Sequence, residues 1–400
     1  MESQLPQGGQ NLFQTIKNET ADVEASGKKI WKLTIGQPSG PALESARRTA
    51  AEAVMSETEA MHEYQDNGSP GVPDFANKFV NLHQPSSLQD GSAYLPIPGI
   101  KPMLGIIPQA CGFVFTGKKE PYKHVRVGTM TDPGYPTPAD QCRYLGVEHY
   151  AFKTNPDNKF LVNPEDITEG TTLLMLNYPH NPTGQVTSEG FWHKLCQFCQ
   201  ECGIRIFNDA AYAMLGYVGA NCSTLAAVAQ HYLELSWAEA YSASKAIGNG
   251  TGWRIGALVG SPDFISDIAT IKGNTDSGLF APAAYGVLRC LETDMDSVLS
   301  VRDTYLKRNL LLCGLLQELG MQMAVQPLAG FFSLWLAPRR AFGRNIKDGQ
   351  DFNFLLMEKT GVAGVHFGPY VRYSVAAAPI EESKWQNAIM EAFKHADVKY

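Results

Sequence analysis

Four short apolar runs in the middle of the chain constrain its fold more tightly than any other feature. They are Thr172-Leu173-Leu174-Met175-Leu176-Asn177, Ile204-Arg205-Ile206-Phe207-Asn208, the segment from Leu235 to Tyr241, and Ile255-Gly256-Ala257-Leu258-Val259-Gly260. Each has the length and aliphatic content of a buried strand, and a helical stretch starting near Ser188 separates the first two. Strands that are apolar on both faces need helices over both faces, and a largely parallel sheet with alternating helices provides them. The chain is therefore expected to be α/β, with a doubly wound, mainly parallel sheet in a large domain over residues 51–293. After Asp294 the pattern changes. Long helical stretches, Ser300 to Leu319 and Asp351 to Lys359, flank strand candidates at Phe331 to Leu336 and Val371 to Ala376. That suits a smaller α+β domain over residues 294–400. Residues 1–50, which include Trp31-Lys32-Leu33-Thr34-Ile35, are expected to pack with it.

The segments just beyond the strands point to chemistry. In open α/β sheets, ligands bind beyond the carboxyl ends of the strands. The first run leads into Asn177-Tyr178-Pro179-His180-Asn181-Pro182-Thr183-Gly184, the second into Asp209-Ala210-Ala211-Tyr212, and the third into Ser242-Ala243-Ser244-Lys245. Each piece alone is bland: Asn-Pro-Thr-Gly is a common turn, and an aspartate after a strand is often a helix cap. Three consecutive strands delivering polar groups to one edge are harder to dismiss. Lys245 is the most telling residue. It comes after two small hydroxyl residues, and Gly252-Trp253-Arg254-Ile255-Gly256 lies just beyond it. A lysine amine can condense with an aldehyde, while hydroxyls and a guanidinium can hold a phosphate. Pyridoxal 5'-phosphate (PLP) carries both groups.

Composition excludes other classes. The 400 residues are 44% hydrophobic and 18% charged, which is ordinary for a globular protein of about two domains. A net charge of −7 offers no basic field for nucleic acid or an anionic membrane. No apolar run approaches the roughly 20 residues of a membrane span. The start, Met1-Glu2-Ser3-Gln4-Leu5, lacks the features of a signal or transit peptide. Eight scattered cysteines do not form a disulfide framework, so a cytoplasmic setting is expected. Cys196, Cys199 and Cys202 have three-residue spacing, but Phe191 to Gly203 reads as an amphipathic helix, and that spacing simply lines one face. No metal site is expected.

At this point the chain resembles the class I/II aminotransferases, fold-type I PLP enzymes of the aspartate aminotransferase superfamily. The resemblance runs from about Gly36 to Arg372. Asn-Pro-Thr-Gly, Asp-x-x-Tyr, Ser-x-Ser-Lys and Gly-x-Arg-x-Gly stand in the family's order, with 28 residues from Asn181 to Asp209 and 36 from Asp209 to Lys245. Asn177-Tyr178-Pro179 and Thr251-Gly252-Trp253-Arg254-Ile255-Gly256 lean toward the branch that contains LL-diaminopimelate aminotransferases.

The resemblance implies a role for each position. Lys245 links covalently to PLP and then moves the substrate's α-proton. Asp209 pairs with the pyridine nitrogen, Asn181 and Tyr212 bond the ring oxygen, and Tyr135, in Asp132-Pro133-Gly134-Tyr135-Pro136, stacks on the ring. Ser242, Ser244 and Arg254 hold the phosphate from one side, and Gly99-Ile100-Lys101, at a helix start, hold it from the other. Tyr64 reaches the phosphate of a neighbouring subunit, which implies a homodimer with composite sites. Arg372 forks the substrate carboxylate, and Gly36 with Asn181 borders the substrate. The implied activity is transfer of an amino group between an L-amino acid and a 2-oxo acid by a ping-pong mechanism.

Three departures bear on substrate identity. Lys245 to Arg254 is nine residues, one more than in many relatives, so the loop from Ala246 to Gly250 is expected to take its own path. Gly71-Val72-Pro73-Asp74-Phe75-Ala76 lacks the family's usual Leu-Arg pair, and the connection from Gly364 to Tyr370 is short. The alternative chemistry on such a scaffold is that of a PLP-dependent lyase or decarboxylase. A PLP-sensing regulator is expected to carry a DNA-binding module, and little chain precedes Gly36.

Overall fold

The computed structural model describes residues 12–84, 88, 91–112 and 125–400. The reading of Met1 to Leu5 lies outside them. Seven strands form the central sheet: β1 (Ala93–Ile97), β2 (Arg126–Thr129), β3 (Glu148–Ala151), β4 (Leu173–Leu176), β5 (Arg205–Asp209), β6 (Trp237–Ser242) and β7 (Gly256–Gly260). Their order is β1-β7-β6-β5-β4-β2-β3. The four pairings that join β2 through β6 are parallel. Strand β7 runs antiparallel to both of its neighbours, so the fourth apolar run is a strand but not a parallel one. The reason lies in the connection. Parallel neighbours need a crossover, usually through a helix. Residues 243–255 form no helix, and Ser242 pairs directly with Gly256.

Alternating side chains of these strands enter two separate cores, as period-two geometry requires. Leu174, Leu176 and Ile206 join one core, and Leu173, Met175 and Phe207 join the other. Helix α1 (Leu12–Ala25) precedes the sheet. Helix α2 (Ile100–Ala110) covers one face through Met103 and Ile107. Helix α3 (Glu189–Cys202) covers the opposite face through Trp192, Leu195, Cys196 and Cys199. Ser188 caps α3 by accepting from the Phe191 amide at 3.2 Å, and Gly203 ends it at φ 64°. Cys196 and Cys199 are therefore packing residues, while Cys202 is exposed.

Helix α4 (Met295–Glu318) leads to a second, antiparallel sheet. Its strands are β8 (Met323–Val325), β9 (Phe332–Leu336), β10 (Val365–Phe367) and β11 (Tyr370–Ser374), in the order β10-β11-β9-β8. Trp31–Lys32 pairs with Val362–Ala363, so the N-terminal segment joins this layer. Its strand is only two residues long, because Leu33 turns to bond the carbonyls of Trp31 and Ala363. Among the described residues no helix is long and apolar enough to cross a membrane.

Candidate active site

The parallel register places the ends of β4, β5 and β6 side by side: Leu176 is level with Asn208, and Asp209 with Ala240. The turn after β4, Asp209 and the loop after β6 therefore converge on one cavity of about 640 Å³. Its walls include Asn181, Asp209, Tyr212, Ser242, Ser244, Lys245 and Arg254, with Ile100, Lys101 and Tyr135 from the β1 and β2 ends. Gly36 and Arg372 close it from the side of the second sheet.

The turn is tied to the neighbouring strand. The Asn177 side chain donates to the Asp209 carbonyl at 2.8 Å and accepts from the Asn181 amide at 3.0 Å. Behind it, Asn208 accepts from the Tyr178 amide and donates to both the Tyr178 carbonyl and the Glu239 carboxylate. Glu239 is fully buried in β6, and both of its oxygens are met by donors from Asn208, Tyr241, Leu225 and Ala226. A sequence reading of strand ends passes over this carboxylate, because it sits mid-strand.

The loop after β6 presents Lys245 and Arg254 together. Ser242 and Ser244 are bonded at 2.9 Å through their hydroxyls. The longer loop is pinned by the N-terminal segment: the Leu43 amide donates to the Ile247 carbonyl, and Gly248 bridges to Ala42. Arg254 holds a left-handed φ of 57°, and its Nη1 donates to the Thr251 carbonyl at 2.7 Å. Its guanidinium lies on the Cα of Gly99, in space that a Cβ would fill. Gly99 has φ 78° and immediately precedes α2, so only glycine meets both demands there. A guanidinium, two hydroxyls and the free amides of a helix start thus line one end of the cavity, which is the chemistry of an anion cradle.

Two ionisable groups are displaced in opposite directions. Burial pushes the Asp209 carboxyl up to about 6, opposed by the Ala211 amide it accepts from and by the Lys245 charge. Burial lowers Lys245 to about 8, helped by the Arg254 guanidinium and opposed by Asp209. A lysine so lowered holds far more neutral amine near neutrality than a free one.

Arg372 is only 1% exposed. It stands in β11 opposite Val365, so the short connection from Gly364 is a hairpin that delivers the side chain to the cavity. Nη1 donates to Asn181 Oδ1 at 2.7 Å and Nη2 to the Thr34 carbonyl at 3.1 Å. The Phe332 ring lies 4.2 Å from the guanidinium carbon. Nε has no partner, and among the described residues no carboxylate pairs with this charge. Burial lowers it to about 10. A buried, unpaired guanidinium is costly unless an anion visits it.

Tyr64 is not among the groups brought together. It is 77% exposed and lies outside the cavity of its own chain. Conversely, Phe13, Gln141, Asn177 and Thr251 line the cavity, and no sequence motif marked them as site residues. Phe13 comes from α1, where an aromatic within an amphipathic helix carries no motif. Asn177 stands at the end of a strand pattern, and that position was the available signal.

Comparison with known proteins agrees with this geometry. Residues 28–384 match the family described as aminotransferase class I and II. The LL-diaminopimelate aminotransferase of Methanocaldococcus jannaschii is 30% identical over 349 residues, covering 83% of this chain and 79% of that protein. The LL-diaminopimelate aminotransferase of Halothermothrix orenii is 27% identical, covering 97% of this chain and 96% of that protein. Among solved structures, the aspartate aminotransferase of Rhizobium meliloti superposes with a TM-score of 0.83 at 20% identity, covering 99% of this chain and 98% of that one. That of Thermus thermophilus with maleate gives 0.79 at 22% identity, covering 97% of each.

Proposed function

The chain belongs to the class I and II aminotransferases, and from that premise we propose how its own residues divide the work of a PLP-dependent transaminase. The enzyme moves an amino group between an L-amino acid and a 2-oxo acid. The observation that carries the assignment of roles is one cavity holding a lysine lowered to about 8, a buried acid, an anion cradle and a buried guanidinium without a carboxylate.

The residues present fit PLP. The Gly99–Lys101 helix start, Arg254, Ser242 and Ser244 would hold its phosphate, Asp209 its ring nitrogen, Asn181 and Tyr212 its ring oxygen, and Tyr135 its ring face. When bound, the cofactor supplies an electron sink for charge at the substrate's α-carbon. Asp209 would keep a proton on the ring nitrogen and so support that chemistry. Lys245 is the residue whose amine would hold the cofactor's aldehyde, and its Nζ would serve as the base that takes the proton from the substrate's α-carbon. Arg372 holds the α-carboxylate of both amino acid and oxo acid, and Gly36 leaves room for that approach. Phe13 and Tyr135 stand on the cavity wall, where their rings would limit the access of water to a bound substrate.

A second chamber of about 700 Å³ opens beside the first, between α1 and residues 32–37, and shares Gly36, Lys101, Tyr135 and Lys245 with it. Lys17 faces it, together with a Lys32–Glu24 ion pair of 2.9 Å. This room supports a donor with a long polar side chain, the kind of amino acid named for the LL-diaminopimelate aminotransferase relatives.

We read the two sheets as two domains, residues 51–293 and residues 1–50 with 294–400. A homodimer is supported by exposed Tyr64 and Phe280, held near each other because the Gln65 and Asp66 amides both bond the Ser277 carbonyl. Eight cysteines, none of them in a disulfide, support a cytoplasmic setting.

Borohydride reduction of the holoenzyme followed by peptide mapping tests the assignment. The cofactor mass is expected on Lys245, with loss of turnover. Labelling of Lys101, the other lysine of the cavity, would refute it.

A further inference from the structure

The helix Pro262–Lys272 ends in a lysine that lies outside the reaction cavity and is 0% exposed. Lys272 Nζ donates to Asp276 Oδ1 at 2.7 Å, to the Asp66 carbonyl at 3.2 Å and to Asn67 Oδ1 at 3.2 Å. Three acceptors match the three hydrogens of an ammonium. A lysine stays in the interior only where its charge is paired and its hydrogens are met. One of these acceptors comes from the segment that follows the helix, and the other two come from the loop just after Tyr64.

That loop is gripped on several sides. Asn67 Nδ2 donates to the Ala269 carbonyl at 3.0 Å, inside the last turn of the same helix. Asp276 Oδ1 also accepts from the Gly278 amide at 2.8 Å, and the Ser277 carbonyl between them accepts from the Gln65 and Asp66 amides. A Cβ on Gly278, which has φ 98°, would stand 2.5 Å from the Asp66 nitrogen, so the two segments meet backbone to backbone. Asp66 itself has a left-handed φ of 45°, a conformation that a non-glycine residue keeps only when its surroundings impose it. Lys272 bonds the carbonyl of this residue. The neighbouring side chains point opposite ways: Gln65 is 2% exposed and bonds the Ala60 and Glu63 carbonyls, while Tyr64 is 77% exposed.

We propose that Lys272 is a positioning residue for the partner subunit's cofactor site: its buried ammonium fixes the loop at Asp66 and Asn67, and so sets Tyr64 in place to reach across a homodimer to the phosphate of PLP. The proposal rests on the reading of Tyr64 as a ligand in a composite site. It adds that a charge buried in one chain governs cofactor retention in the other.

The test separates action within a chain from action across chains. In homodimers, PLP binding to cofactor-free enzyme, read by quenching of protein fluorescence, is expected to weaken at least about fivefold in Lys272→Met, as in Tyr64→Phe. The double variant should bind no more weakly than Tyr64→Phe alone, because both changes remove one contact. Two kinds of hybrid dimer, purified through two affinity tags, then each carry a single functional Lys245. Where Lys272→Met shares a chain with Lys245→Ala, the PLP concentration that half-saturates turnover should rise. Where Lys272→Met shares a chain with the functional Lys245, it should stay native, because Tyr64 then comes from an unaltered loop. Asn67→Ala, at a half-buried loop position, removes one tie while leaving the Lys272–Asp276 pair, and should show the same pattern if Lys272→Met does not fold. A rise confined to the second hybrid, additive losses in the double variant, or native PLP binding by folded Lys272→Met or Asn67→Ala protein while Tyr64→Phe is weakened would each overturn the proposal. Native PLP binding by Tyr64→Phe would instead overturn the composite site, and the proposal with it.

Discussion

At the scale of single residues, the cavity holds groups whose surroundings contradict their usual chemistry. Lys245 titrates near 8 because burial and Arg254 disfavour its charge. Only the neutral amine attacks an aldehyde, so capture of PLP by cofactor-free enzyme should quicken as pH rises from about 6, where Asp209 also ionises, and level off above about 8. A rate that keeps climbing beyond about pH 10, the ordinary range of a lysine, in stopped-flow absorbance would mean that Lys245 is not lowered. Arg372 poses the complementary case. Arg372→Met removes an unpaired buried charge along with two hydrogen bonds, effects that oppose each other. The melting midpoint of the variant is expected to hold or rise, while kcat/KM falls by about 2–4 kcal/mol, on the order of 30- to 1000-fold. A large drop in midpoint with activity kept would make it a structural arginine. That Lys245, Asp209 and Arg254 meet at one cavity was legible in sequence, because their residue types sit at strand ends, which converge at a sheet edge. Phe13 was not, since nothing in a helix's own pattern says which sheet edge it will overhang.

Among the elements, the antiparallel return from β6 to β7 organises the site. It keeps Ser242 level with Gly256, so Lys245 and Arg254 emerge from one loop. The strands themselves were readable from their apolar runs. Their direction was not, because periodicity reports burial and says nothing of polarity. Glu239 escaped notice for a related reason: a charge inside a buried run looks like an interruption until its donors are seen. Four donors converge on it, and through Asn208 it braces the Tyr178 backbone ahead of Asn181. Glu239→Gln turns an amide donor toward one of them. The expected cost is roughly 2–3 kcal/mol in denaturant unfolding, with a rise in KM greater than any fall in kcat. An unchanged unfolding midpoint would show that the carboxylate braces nothing.

The whole molecule joins two sheets at one cavity, the larger presenting Lys245, Asp209 and Arg254 and the smaller presenting Arg372. Exposed Tyr64 belongs to this scale, because its proposed partner is a second copy of the chain. Mixing a Tyr64→Phe variant with a Lys245→Ala variant should give hybrid dimers in which one site has both native residues, and activity above that of either parent. No recovery in mixtures shown to have exchanged subunits would remove Tyr64 from the site. The central claim is the meeting of the two sheets on one substrate, and a crystal structure of the holoenzyme with a bound amino-acid analogue tests it most directly. The cofactor is expected beside Lys245 and Asp209, with the analogue's α-carboxylate forked by Arg372. A carboxylate held by another cation, with Arg372 turned away, would contradict it.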